Sequence, residues 1–221
     1  TPVFADIDPA SFNLTPESVS GKIGPDISGI LPVHVFGNPC KADELEKIAR
    51  RNGVRLLFDA AHAFGVKYKG TSILNFGDAS ILSFHSTKIF HTIEGGAIIF
   101  KERRHLEAAR KMINFGITGY DRVEGIGING KMNEFQAAMG HCILDDVEEL
   151  LNRRSLIYMR YAEAFRGIRN IKLQELNPDA EYNYAYFPVL FSSEKLREKA
   201  AGILNEQEIY PRRYFSPSLE T

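Results

Sequence analysis

The chain has 221 residues, 27 lysines and arginines against 28 aspartates and glutamates for a net charge of -1, and a hydrophobic fraction of 44%. That balance leaves no electrostatic footprint for nucleic acid or an anionic membrane surface. Only two cysteines, Cys40 and Cys142, are present, at no zinc or redox spacing, and no apolar run approaches the roughly 20 residues that span a bilayer. A disulfide framework, a metal centre and a membrane anchor are therefore not expected, and the opening TPVFADIDPASFNL lacks the basic head and apolar run of a signal peptide. Reduced thiols in a cytoplasmic protein are the expectation.

In chain order, PVFADI, SGILPVHVF, VRLLFDA, ASILSFH and GGAIIF predict strands, the last ending at Phe100. Between the second and third, CKADELEKIARRNG predicts a helix, with Leu45, Ile48 and Ala49 on one face and Gly53 as its stop. Continuously apolar strands alternating with helices predict an α/β fold, a mostly parallel sheet covered on both faces by helices.

Beyond Phe100, KERRHLEAARKMINFG predicts a surface helix and GYDRVEGIGINGK a glycine-rich loop. A long helix then follows, with apolar residues at helical spacing through Leu144, Val147, Leu151, Ile157 and Tyr161. The strands NIKLQEL and NYAYFPVLF and the helix SEKLREKAAGILNEQ predict a small α/β lobe at the end. The expected division is a large domain over 1–140, a linking helix over 141–168 and a small domain over 169–221.

Chemistry concentrates just past the strand ends, where open α/β sheets hold their ligands. VRLLF delivers Asp59 and then His62; ASILSF delivers His85, Ser86, Thr87 and Lys88. A carboxylate and an amine at such positions are usually paired or used, because burying either alone is costly. Plainer readings exist beside this one. Asp59 could cap a helix or close a strand-end ion pair, Lys88 could be a solvated turn lysine, His62 could be satisfied within its turn, and Ser83 could simply form one. Gly95 and Gly96 would let another backbone or a flat ligand come close.

Taken together, LPVHVFG, LFDAAHAFG, SFHSTKIFHTIEGGAIIF and GINGKMNEFQAAMG resemble the sugar aminotransferases of the DegT/DnrJ/EryC1/StrS family. The resemblance implies the aspartate aminotransferase fold, fold type I of the pyridoxal phosphate enzymes, with a smaller C-terminal lobe. It implies pyridoxal 5'-phosphate as cofactor and a nucleotide-linked keto sugar as substrate, a 4-keto-6-deoxyhexose more than a 3-keto one, with L-glutamate as amino donor. By the same likeness Lys88 is the Schiff-base lysine that also carries the substrate proton. Asp59 keeps the pyridine nitrogen protonated, His62 lies against the ring, and Ser83 donates to the phosphate. Asn129 reaches the phosphate of the partner subunit in a homodimer with composite sites, although a plain loop-to-helix junction explains its surroundings equally well.

As substrate contacts, His34, His85, His91 and Glu94 could line a sugar pocket or merely satisfy turns, and Arg212, Arg213 and Tyr214 could meet a diphosphate, which arginine suits by bidentate bonding, although adjacent arginines are more often solvated. Family members are longer, so the chain is expected to lack an upstream phosphate loop, a ring-stacking aromatic residue and the extreme C-terminus. Two rivals remain: a dehydratase relative, which carries histidine in place of the lysine, and a non-catalytic cofactor-binding or scaffold protein.

Overall fold

In a computed structural model, residues 1–218 are described. Chain order is α1 (Pro16–Ser20), β1 (Gly29–Ile30), a 3-10 turn at Val35–Gly37, α2 (Ala42–Asn52), β2 (Arg55–Asp59), β3 (Lys67–Tyr68) and β4 (Thr71–Ser72). There follow β5 (Ala79–Ser83), β6 (Gly96–Phe100), α3 (Arg103–Met112), β7 (Ile117–Gly119), β8 (Arg122–Val123) and α4 (Glu134–Ala164). The last elements are β9 (Ile171–Leu173), β10 (Ala180–Glu181), β11 (Val189–Phe191) and α5 (Glu194–Glu206).

The main sheet runs β1-β2-β5-β6, with the first three strands parallel and β6 antiparallel to β5. One face carries Leu56, Phe58 and Leu82 into a core shared with Leu45 and Ala49 of α2, Val66, Tyr68 and Ile73. Each such side chain, fully buried, contributes about 1.5–3 kcal/mol. The expected stop of α2 is realised: Gly53 takes the left-handed conformation, φ 65°, and its N–H bonds the carbonyls of Ala49 and Arg50. On the other face Ile81 and Ile98 stand directly opposite each other across β5 and β6, 41% and 50% exposed. Asp59 pairs with Ile81 in the parallel register, so Asp59, Ile81 and Ser83 share this second face, two of them at strand ends.

Several predicted elements differ. PVFADI forms no strand; only Ile7 makes a bridge, to Leu14, because Asp8 turns the chain by accepting from the Ser11 and Phe12 amides. SGILPVHVF is a two-residue strand, since Pro32 has no N–H to continue the ladder, and contact resumes as a bridge between Val33 and Asp59. The glycine-rich loop contains the β7–β8 hairpin. In NYAYFPVLF only Val189–Phe191 is strand, because the preceding residues use their side chains to bond other loops.

Helix α4 begins at Glu134 with a reciprocal cap: Gln136 N–H donates to Asn133 Oδ1 at 2.9 Å and Asn133 N–H to Gln136 Oε1 at 3.1 Å. Among the described residues, no helix is long and apolar enough to cross a membrane.

The stretch after β9 is tied to the beginning of the chain by buried amides. Gln174 Nε2 donates to the carbonyls of Ser11 and Val35, and Asn38 Nδ2 to that of Glu175. Asn38 Oδ1 accepts from Asn177 N–H at 2.9 Å and from the Tyr182 hydroxyl at 2.8 Å. Strand β10 adds to β3, making the three-stranded sheet β10-β3-β4.

Candidate active site

Two loops meet beyond the carboxyl ends of β2 and β5. The first, residues 59–66, starts at Asp59, whose Oδ1 accepts from Ala61 N–H at 2.9 Å; its Oδ2 accepts no hydrogen bond among the described residues. Within this loop His62 Nδ1 accepts from Phe36 N–H at 3.2 Å, which places the ring proton on Nε2. Burial, with the nearby Lys88 charge adding to it, pushes His62 down to about 4, so the ring is neutral. Phe36 occupies the left-handed region, φ 59°, and its ring lies nearly parallel to that of His62, 5.9 Å away.

The second loop, residues 84–95, joins β5 to β6 and carries Lys88. Its anchors are apolar: Ile89 and Phe90 are buried, Phe90 stacks on Phe64 of the first loop at 4.4 Å, and Phe84 meets Phe90 edge-on at 4.8 Å. Backbone bonds from Phe84 N–H to Gly95 and from Thr92 N–H to Phe84 close the loop's base. Helix α4 approaches closely, because a Cβ on Gly140 would lie 3.0 Å from Thr92 Cγ2. Lys88 thus sits immediately before two buried side chains on a loop packed against the Asp59 loop. Its Nζ bonds the Tyr186 hydroxyl at 3.3 Å. Burial pushes the amine below the usual lysine range; the Asp59 carboxylate opposes that shift, and the positive charge of Arg212 adds to it.

Asp59, His62 and Lys88 are therefore brought together, and Tyr214 joins them through ring contacts with Phe36 at 5.5 Å and Tyr186 at 6.1 Å. Ser83 ends β5 on the Asp59 side of the sheet and accepts a long bond, 3.4 Å, from His85 N–H. His85 and Glu94 face each other at 3.6 Å in exposed positions, and His85 Nδ1 also contacts Thr87 Oγ1 at 2.8 Å. Arg213 is paired with Glu194 of α5 at 2.9 Å, while Arg212 lies over the Tyr214 ring. Asn129 is exposed, accepts from Lys131 Nζ at 2.7 Å and bridges Asn114. It bonds none of Asp59, His62, Ser83 or Lys88 among the described residues.

His91 Nδ1 accepts from Ile93 N–H in its own turn. His34 lies in the core, stacked on Phe58 at 4.7 Å, with Nδ1 accepting from Cys40 N–H and Nε2 without a partner among the described residues. Of the two readings of Gly95 and Gly96, close approach of another backbone is the one met at Gly96: a Cβ there would lie 2.7 Å from Leu82 O, while one on Gly95 would strike Thr92 Oγ1. The protein's own loop and strand fill that room.

Two site residues carried no sequence signal. Tyr186 lies 98 residues from the lysine it bonds, within an aromatic run that reads as strand. Phe36 reads as the end of a strand, and its left-handed backbone is what turns its N–H toward His62.

The DegT/DnrJ/EryC1/StrS aminotransferase family is matched over residues 1–221. The chain belongs to this family. It is 38% identical over 218 residues to the dTDP-4-amino-4,6-dideoxy-D-glucose transaminase of Shigella dysenteriae, a match covering 98% of this chain and 59% of that protein. Among solved structures it is similar to the aminotransferase TlmJ of Streptoalloteichus hindustanus, with a TM-score of 0.91 and 27% identity over 98% of this chain and 60% of that one. It is also similar to DesI, solved in the presence of its TDP-sugar product, with a TM-score of 0.88 and 35% identity over 99% of this chain and 56% of the other. The chain thus spans about 60% of the length of the curated relatives it matches. Its fold is the α/β fold of the pyridoxal phosphate-dependent aminotransferases, a mixed sheet flanked by helices.

Proposed function

We propose that this chain forms the catalytic part of a pyridoxal phosphate-dependent aminotransferase. Its substrate would be a nucleotide-linked keto sugar, a 4-keto-6-deoxyhexose, aminated at the expense of L-glutamate in amino-sugar and surface-polysaccharide biosynthesis. The observation that carries this reading is the half-buried Lys88 amine on a loop packed against the Asp59–His62 loop at the carboxyl ends of the parallel strands β2 and β5. The curated relatives named for amination at carbon 4 of a dTDP-sugar support the substrate class.

The donor set fits the cofactor. An amine, a carboxylate with one oxygen unengaged, a neutral imidazole bearing its proton on Nε2 and a strand-end hydroxyl suit an aldehyde, a pyridinium nitrogen, an aromatic ring with its phenolic oxygen and a phosphate. Lys88, Asp59, His62 and Ser83 would hold those four parts. When bound, the cofactor supplies an electron sink for the carbon that gains or loses nitrogen.

The rest of the chemistry belongs to the chain. Burial gives Lys88 a larger neutral fraction than a solvated lysine has, so its nitrogen can act as nucleophile and, when free, take up or return a proton. Asp59 supplies a fixed negative charge beside it. The neutral His62 can donate from Nε2 without adding positive charge to the crevice.

The remaining assignments are part of the same proposal. Tyr214, His85, Glu94 and Arg213 serve the substrate; Asn129 serves the second subunit of a homodimer, consistent with its exposure and its lack of a bond to the site in its own chain. The protein works in the cytoplasm. The proposed division is a large domain over 1–140, a linking helix over 141–168 that continues α4 from its start at Glu134, and a small domain over 169–221 that lends β10 to the sheet of β3 and β4 in the large one.

The deciding experiment adds pyridoxal phosphate to the purified protein, reduces with borohydride and maps the modified peptide by mass spectrometry. The adduct is expected on Lys88 and absent from Lys88→Ala. The same adduct yield in Lys88→Ala sinks the assignment.

A further inference from the structure

Tyr186 touches the Lys88 amine and is held there by hydrogen bonds and ring contacts that reach three other parts of the molecule, the 59–66 loop, the Phe36 turn and α4. Its hydroxyl lies 3.3 Å from Lys88 Nζ, and its ring packs on His62 with centroids 4.4 Å apart and on Phe36 at 5.4 Å. Three residues earlier, the buried amide of Asn183 donates to the carbonyls of His62 and Phe64, and its Oδ1 accepts from Ala185 N–H at 3.2 Å. Arg154 of α4 donates to the carbonyl of Ala185 at 3.1 Å. The backbone on the N-terminal side of Tyr186 is thus fixed to the same loop that presents His62 and Asp59.

From this geometry we infer that Tyr186 is a positioning residue for Lys88, its hydroxyl holding the amine in the crevice whenever that amine is not covalently engaged. The inference rests on the reading of Lys88 as the cofactor lysine. Lysine has four rotatable side-chain bonds and, once released, would otherwise wander into solvent. A phenol can serve both protonation states of the amine, accepting from the ammonium and donating to the neutral nitrogen. Burial pushes the Tyr186 phenol up to about 12, so its proton is in place across neutral pH. The charged and titratable groups facing Lys88 are Asp59, His62, Arg212 and Tyr186, and among the described residues only Tyr186 makes a hydrogen bond to Nζ.

Competitive acylation of the cofactor-free full chain with acetic anhydride, quantified at Lys88 by mass spectrometry across pH, tests this. A packing role alone would leave the pH profile unmoved, whereas loss of the hydroxyl removes the ammonium's acceptor at a half-buried position. In Tyr186→Phe the inflection for Lys88 should fall by about half a pH unit or more. Tyr186→Met removes the same hydroxyl while keeping apolar volume, and carries the test if Tyr186→Phe lacks a native near-ultraviolet spectrum.

An inflection equal to wild type in the folded variant overturns the inference. Borohydride mapping of wild type separates the two levels. An adduct on Lys88 with an unmoved profile removes only the role of Tyr186, while an adduct elsewhere removes the Lys88 assignment and this inference with it.

Discussion

The side-chain amide of Asn183 donates to the backbone carbonyls of both His62 and Phe64, at 2.8 and 2.9 Å. One residue of the C-terminal third thereby closes the turn that carries the imidazole, 121 and 119 positions earlier in the chain. Replacing it by alanine leaves two carbonyls without partners in a buried setting. Asn183→Ala should destabilise the protein by about 1–3 kcal/mol, read as a lower urea midpoint with unchanged slope. An unchanged midpoint would show that water takes over both carbonyls without loss.

Gly37 faces the same turn from the other side. Its φ is 84°, and a Cβ built on it would lie 2.8 Å from His62 O and 2.9 Å from Asn183 Oδ1. Gly37→Ala adds a left-handed alanine and pushes the two partners apart. A loss of about 1–3 kcal/mol in thermal or urea unfolding is expected, together with weaker cofactor binding as His62 moves. Gly53→Ala is the control: it also has positive φ, but open space where the methyl would go, so it should cost less.

Acid should weaken the fold through buried imidazoles. Burial holds His34 near 3, and burial together with Lys88 holds His62 near 4, against 6.5 for a free imidazole. Below pH 6.5 the unfolded chain gains protons that the folded chain refuses, so stability is complete above that pH and declines as pH falls toward 4 and then 3. Each such histidine contributes a slope of up to about 1.4 kcal/mol per pH unit. His34→Gln should flatten the dependence of the urea midpoint on pH between 6.5 and 4; a slope identical to wild type would disprove the assignment.

Asp59→Asn keeps the shape of the site but removes its fixed negative charge. Cofactor binding should persist while transamination falls by roughly 100-fold or more, measured as single-turnover amino transfer in the assembled enzyme. Wild-type turnover in that variant would exclude the role given to the carboxylate.

The residues that could be picked out in the sequence share a property: each is local to the end of a strand or a helix. Asp59 and Ser83 follow apolar runs, Lys88 follows five residues later, and Gly53 marks its helix stop, all within windows of a few residues. What the pattern could not reveal depends on partners far away. Asn38 meets Tyr182 across 144 positions and Glu175 across 137, and Asn13, Asn38, Gln174 and Asn183 are all buried although asparagine and glutamine are usually exposed. Nothing in hydrophobic periodicity announces a polar residue that will be buried against a distant carbonyl. Strand lengths failed for a related reason: Pro32 and the side-chain bonds of Tyr182 and Asn183 replaced ladder bonds that composition alone seemed to promise.

The joint made by Asn13, Asn38, Gln174, Asn177, Tyr182 and Asn183 consists of amides, one phenol and backbone groups. Beside it, Lys67 and Glu181 form an ion pair, but on the open surface, where such pairs add little. Counter-ions have nothing to screen in the joint itself, and none of its side chains titrates between mild acid and mild alkali. The grip of the chain's last third on the stretch from Ser11 to Phe64 should therefore feel the same in dilute buffer and in concentrated salt. What loosens it is whatever competes for amide hydrogen bonds, which makes urea a sharper probe of this contact than sodium chloride.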